Sequence, residues 1–285
     1  MAIDLQTLQQ FVADAGRSWD RVTVLDEHVA PDIALNLCRA RSAVLVRNAN
    51  VVELARGLAG WRRTLVVAEN LGGPTERRST VDPAEAVARL WRSPELLCLA
   101  DTEFAVEQEG WALPDDRFAN RDGLVANAEV RALALARLAP RPGVLVWDVG
   151  AGPGAVGVEC ARLGAAVLAV ERNPVQVVRI IANAAAHHVD VRVVEAELAE
   201  AIGDLPRPDA VFVGGGGAAA VAACAKVGAK RIVVAMPELD RIVAARDALR
   251  DAGYAVEGSM LSSARLVGSV TVATNPVTVL WGTRA

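Results

Sequence analysis

Val144-Leu-Val-Trp-Asp148-Val-Gly150-Ala-Gly152-Pro-Gly154 is an apolar run that ends in an acid and then breaks into alternating glycines. Such a run predicts a buried parallel strand feeding a tight turn, and Ala155 to Leu163 has the composition of a following helix. Without a Cβ, a glycine backbone can take positive φ and lie directly against a ligand, while the first amides of the helix are unpaired donors. The stretch therefore reads as a loop that cradles a nucleotide.

Two cofactor classes fit this loop. Gly152-x-Gly154-x-x-Gly157 satisfies the dinucleotide fingerprint, and Asp148-x-Gly150-x-Gly152-x-Gly154 fits the loop of class I S-adenosylmethionine (SAM) methyltransferases. A dinucleotide fingerprint begins as its strand ends, whereas Gly152 stands two residues beyond a glycine that already starts the turn. The acid at the strand end also suits the cationic methionine end of SAM better than a pyrophosphate. Downstream, Ala165-Ala-Val-Leu-Ala-Val170-Glu171 is a second apolar strand closing on an acid, the position at which either class holds ribose hydroxyls. Glu171 thus supports a nucleotide without choosing one.

The 285 residues suffice for two modest domains or one large one. A hydrophobic content of 53% with only 4% aromatic residues predicts an α/β protein with a core of small aliphatic side chains. A net charge of -4 and the lack of a basic run argue against nucleic acid; Arg62-Arg63 and Arg77-Arg78 read as solvated doublets. Cys38, Cys98, Cys160 and Cys224 are widely spaced, which predicts buried free thiols in a reducing compartment. Met1 to Gln10 has neither a basic nor an apolar leader, and no apolar span has membrane length, so a cytoplasmic protein is expected. His187 and His188 are adjacent and point to different faces, and no metal is expected.

Short apolar runs at Val22–Leu25, Ala43–Arg47, Thr64–Ala68 and Leu96–Leu99 alternate with helix-like Val51–Leu58 and Pro83–Trp91. This is an α/β pattern of about four strands with no complete nucleotide motif. Asp101 to Asp122 reads as an acidic connector whose Phe118 docks on the next domain. Beyond it come an amphipathic helix at Ala128–Leu138 and strands near 144–149, 166–171, 191–195, 210–213 and 231–236. A helix over 239–252 then leads to two strands, Tyr254–Gly258 and Val277–Trp281, expected to form an antiparallel hairpin at the sheet edge. The expected fold is the seven-stranded class I methyltransferase sheet with a reversed last strand, preceded by a partial α/β domain. A dehydrogenase would instead need a substrate domain after its nucleotide half.

Over most of 115–285 the chain resembles the CbiT-type decarboxylating methyltransferases of cobalamin biosynthesis. The residues that carry this are Glu129-Val-Arg131, Trp147 to Gly154, Glu171-Arg-Asn-Pro174, Asp209 to Gly216 and Asn275-Pro-Val277. Ala13 to Asp20 and Val66 to Arg77 resemble the second half of a CbiE-type tetrapyrrole methylase, and fusions of the two kinds are known as precorrin-6Y 5,15-methyltransferases. The expected domains are a partial tetrapyrrole methylase over 1–102, a linker over 103–118 and the methyltransferase over 119–285. The methylase's first half, with its own glycine loop, is missing, so no independent methylation at carbon 5 is expected, and the remnant is expected to serve oligomerisation or docking. Departures from the family are Ala126-Asn127, where a Thr is usual, and Ala196-Glu197 in place of Gly-Asp.

The resemblance implies SAM as cofactor, methylation of carbon 15 of a precorrin and decarboxylation of its carbon-12 acetate. Asp148 and Gly150, Ala151, Gly152, Pro153 and Gly154 would hold the methionine end, Glu171 with Arg172 the ribose side, and Glu197 with Leu198 the adenine. Gly214, Gly215 and Gly216 would line the transfer site, and Arg131, Arg172 and Arg265 are the candidates at the cleft mouth for orienting substrate carboxylates. A sulfonium methyl is already activated, so no catalytic dyad is required, and no proton donor is assigned. Two alternatives stand beside this: an NAD-dependent dehydrogenase, and a non-catalytic scaffold of the corrin pathway. A homo-oligomer is expected under all three.

Overall fold

The computed structural model describes residues 3–101, 110–120, 126–236 and 239–284. The chain divides near residue 104 into two compact units. In the first, β1 (Thr23–Leu25), β2 (Ala43–Val46), β3 (Arg63–Glu69), β4 (Arg77–Val81) and β5 (Pro94–Ala100) pair in the order β1-β2-β5-β3-β4. Only β1 and β2 are parallel; the other pairs are antiparallel. The period of two along each strand sends alternate side chains to opposite faces. Val44, Val46, Leu96 and Cys98 share a core with α2 (Pro31–Ala40) and α3 (Val51–Gly57). Leu45, Leu97 and Leu99 pack with Leu8 and Phe11 of α1 (Leu5–Asp14). The expected helix over 83–91 is the short α4 (Pro83–Val87). β4 is a fifth strand, hidden in the sequence because it is a polar edge strand that opens on the Arg77-Arg78 doublet.

The first α-helix among the described residues of the second unit is α5 (Ala128–Leu138), whose N-terminus is capped by Asn127 Oδ1 accepting from the Val130 amide at 2.9 Å. Then follow β6 (Leu145–Val149), α6 (Ala155–Arg162), β7 (Ala166–Glu171), α7 (Pro174–Ala186), β8 (Arg192–Glu195), α8 (Leu198–Ala201), β9 (Ala210–Val213), α9 (Gly217–Val227), β10 (Arg231–Met236), α10 (Leu239–Asp251) and β11 (Ala255–Leu261). β12 (Ala264–Val267), β13 (Val270–Ala273) and β14 (Val277–Thr283) complete the chain. Seven strands form one sheet in the order β11-β14-β10-β9-β6-β7-β8. β14 runs antiparallel to both of its neighbours, while β8, β7, β6, β9 and β10 are parallel. This is the class I methyltransferase fold.

All five residues of β6 are buried, and a fully buried aliphatic side chain contributes about 1.5–3 kcal/mol, so the strand that carries the glycine loop is firmly anchored in the sheet. Trp147 completes it: the ring is buried and its indole N–H donates to Pro206 O at 3.1 Å. The tail differs from a simple hairpin. β11 and β14 do pair at the edge, but the chain between them forms a separate two-stranded ribbon, β12 with β13, and β14 inserts between β11 and β10. The ribbon escapes the sequence pattern because apolar side chains on it, Leu266, Val270 and Val272, stay out of the core. Leu113 and Phe118 are buried in a small core with Ala155, Val158 and Ala184. Among the described residues, no helix is long and apolar enough to cross a membrane, and the four cysteines are buried thiols.

Candidate active site

The glycine loop leaves β6 and meets a second glycine run leaving β9, its parallel neighbour. Gly150, Gly152 and Gly154 all have positive φ (62°, 55° and 80°), a region that favours glycine. Each has its own reason to lack a side chain. A Cβ on Gly150 would lie 2.6 Å from the Gly215 Cα, so the two loops touch backbone to backbone. One on Gly154 would lie 3.0 Å from Ile180 of α7, whereas one on Gly152 would meet nothing within 4 Å. Gly152 thus faces open space, where a ligand can lie against the backbone. Gly157, the third glycine of the dinucleotide spelling, is required by Asp148: a Cβ there would stand 2.8 Å from its Oδ2, which accepts from the Gly157 amide at 2.8 Å.

Asp148 is 1% exposed, and its Oδ1 is buried without a hydrogen-bond partner. Burial pushes its carboxyl up to about 7; the Gly157 amide opposes that shift and the charge of Glu171 adds to it. Glu171, at the end of β7, accepts from the Gly152 amide on one oxygen and from the Asn173 amide on the other, both at 2.9 Å. A carboxylate has about four acceptor sites, so capacity remains for a ligand's hydroxyls. Arg172 and Glu197 pair with each other at 2.7 Å in an exposed position, and Leu198 is buried.

The loops open onto a cleft of about 690 Å³, lined among others by Gly150, Ala151, Gly152, Pro153, Phe212, Gly214 and Arg265, a volume suited to a small-molecule ligand. Gly215 sits behind it against Gly150, and Gly216 is the N-cap of α9. Asp115, Asp116, Asn120, Thr274, Asn275 and Val277 also contribute to the lining. The sequence signals for these are weak: Asp115 and Asp116 lie in a run that reads as connector, while Asn275-Pro-Val277 is visible only as a family motif. Arg265 reaches Asp115 Oδ2 and, at 3.5 Å, Glu129.

Arg131 is not at the cleft mouth. It is fully buried, with Nε on Glu159 Oε1 at 2.7 Å and Nη1 on Asp115 Oδ1 at 2.8 Å. Nη1 also donates to Ala126 O and Nη2 to Leu113 O, and its guanidinium lies 4.8 Å over the Phe118 ring. With its donors committed inside the protein, Arg131 ties α5 and α6 to the 112–118 segment and cannot grip a substrate carboxylate.

A family model described as the precorrin methyltransferase domain matches residues 116–283. A precorrin-6Y C(5,15)-methyltransferase (decarboxylating) of Mycobacterium tuberculosis is 40% identical over 158 residues, which cover 53% of this chain and 38% of that protein. The chain thus spans well under half the length of that relative. A probable cobalt-precorrin-6B C(15)-methyltransferase (decarboxylating) of Pyrobaculum calidifontis is 35% identical over 182 residues, covering 59% of this chain and 93% of the relative. The crystal structure of a precorrin-6y C5,15-methyltransferase from Geobacter metallireducens superposes with a TM-score of 0.57 at 31% identity, covering 64% of this chain and 100% of that one.

Proposed function

The chain belongs to the precorrin methyltransferase family, and from that membership we propose that its second unit transfers a methyl group from SAM to carbon 15 of a precorrin and releases the carbon-12 acetate carboxyl as carbon dioxide. The observation that carries the cofactor half is the Gly150–Gly215 contact, which joins the two glycine runs at the carboxyl ends of adjacent parallel strands. That is where open α/β sheets bind ligands.

The residues present fit SAM. The orphaned, buried Oδ1 of Asp148 beneath the loop suits a cationic methionine end. Gly152 offers a bare backbone to the ligand, Glu171 has acceptor capacity for ribose hydroxyls with Arg172 beside it, and Glu197 and Leu198 border the adenine side. When bound, SAM supplies a methyl group already activated on a sulfonium. The chain's own work is alignment and exclusion of water, with Gly214 to Gly216 beside the transfer site and Arg265 facing the substrate's carboxylates. Loss of carbon dioxide leaves an electron pair that the conjugated macrocycle accepts, so no protein acid is assigned to that step. For self-association, the exposed apolar Leu266, Val270 and Val272 of the β12–β13 ribbon are the supporting observation.

Isothermal titration with S-adenosylhomocysteine tests the cofactor reading. The wild type is expected to bind in the micromolar range and Gly152→Arg, whose side chain fills the open space at that position, to lose binding. A wild type that does not bind would overturn the proposal.

A further inference from the structure

α7 turns one face inward, formed by Val177, Ile180, Asn183, Ala184 and His187 at helical spacing. Asn183 is the polar exception in its middle, 1% exposed. A buried amide is costly unless its atoms find partners, and all of those of Asn183 do. Its Nδ2 donates to Pro153 O at 2.8 Å and to Ala119 O at 3.2 Å, and its Oδ1 accepts from the Ala119 amide at 2.7 Å. Pro153 lies in the glycine loop. Ala119 lies in the segment that brings Asp115, Asp116 and Asn120 to the lining of the same cleft.

The surroundings reinforce this junction. One turn earlier Ile180 packs under Gly154; one turn later His187 Nε2 meets Arg117 O at 2.9 Å, with its ring 4.9 Å from that of Phe118. These neighbours each touch one of the two segments. Asn183 alone among the described residues of α7 bonds to both.

We propose that Asn183 is a positioning residue that couples two segments lining the cofactor cleft, so that the glycine loop at Pro153 and the segment at Ala119 are set together. The inference rests on reading the cleft as the SAM site. Leucine at this position would fill the space but leave the Ala119 amide and two carbonyls without the amide that now satisfies them.

The test uses the full chain and S-adenosylhomocysteine, titrated calorimetrically at pH 5.5 and 8. Asn183→Asp keeps the shape and the acceptor for the Ala119 amide. Ionised, it sets a carboxylate oxygen against the Pro153 and Ala119 carbonyls; protonated, it regains one donor. Relative to wild type at the same pH, the variant is expected to bind about tenfold more weakly at pH 8, or ~1.4 kcal/mol, and to recover most of that at pH 5.5. Dividing by wild type cancels the titration of the groups around it: His187 at the C-cap of α7, Asp115 and Asp116 on the 112–120 segment, and Asp148, Glu159 and Glu171 near the glycine loop. A residue that only fills space would show no such recovery.

Equal affinity of variant and wild type at pH 8 would overturn the coupling, whereas a wild type that fails to bind overturns the SAM reading itself. Hydrogen exchange on the wild type gives an answer independent of the variant's folding. Peptides covering 112–120 and 150–157 are expected to gain protection together on binding, and protection confined to 150–157 would refute the proposal.

Discussion

Replacing Asp148 by Asn should make the free protein more stable at neutral pH. Burial lifts the Asp148 carboxyl from the ordinary 3.8 to about 7 in the folded chain. An acid raised in this way holds its proton more tightly folded than unfolded, so stability is greatest while it is protonated and falls as pH rises through that window. The gap is about three pKa units at ~1.4 kcal/mol each, so ionised Asp148 costs about 4 kcal/mol above pH 7. The amide of the variant cannot ionise, and its carbonyl oxygen can still take the Gly157 N–H. Urea unfolding of both proteins at pH 5, 6, 7 and 8 isolates the effect, because other titrations are common to both. The stability of the wild type should drop relative to Asp148→Asn by about 3 kcal/mol between pH 5 and 8. Binding of SAM should restore the balance by placing a cation near the carboxylate: its binding enthalpy at pH 6 should vary with the buffer's ionisation enthalpy in the wild type and not in the variant. Parallel pH–stability profiles would refute the claim that Asp148 is the buried acid that titrates near neutrality.

The first two glycines of the loop should respond differently to alanine. Gly150→Ala meets the Gly215 backbone at 2.6 Å and should cost about 3 kcal/mol and abolish S-adenosylhomocysteine binding, whereas Gly152→Ala, strained but unobstructed, should cost only about 1–2 kcal/mol; thermal unfolding and titration separate them. Arg131→Met strands Glu159, itself fully buried, and should cost about 3–5 kcal/mol, with Arg131→Met/Glu159→Met recovering much of it. A single variant as stable as wild type in urea would remove Arg131 from its structural role.

What is legible in the sequence is what a local pattern can carry. The strand before Gly150, the strand before Glu171 and the strand before Gly214 are each short apolar runs ending in turn residues, and a sheet buried on both faces leaves no other reading of them. β4 and the β12–β13 ribbon escape for the converse reason: an edge strand with Arg77 and Arg78, and a ribbon held by Ser263 and Thr274 rather than by a core, need no alternation of apolar and polar residues. The tail order also lies beyond local signals, because the insertion of β14 between β11 and β10 is a choice among partners distant in sequence.

The site divides along the same line. Asp148, Gly152 and Glu171 announce themselves because backbone conformation and charge at a strand end are local requirements. Asn183 does not, since in the sequence it is one amide in an otherwise apolar helix, and its value comes from two backbone segments that the fold delivers to it from 30 residues earlier and 64 residues earlier. Arg131 shows the same rule with opposite sign. An arginine near the start of an amphipathic helix reads as solvated or substrate-facing, and only the arrival of Glu159 from α6 and Asp115 from the preceding segment makes its burial tolerable. Once those partners are in place, Arg131 and Asn183 act on the same object. Both hold the 112–120 segment, one through Leu113 and Asp115 and the other through Ala119, so the stretch that brings Asp115, Asp116 and Asn120 to the cleft lining is fixed by two side chains distant from it in sequence.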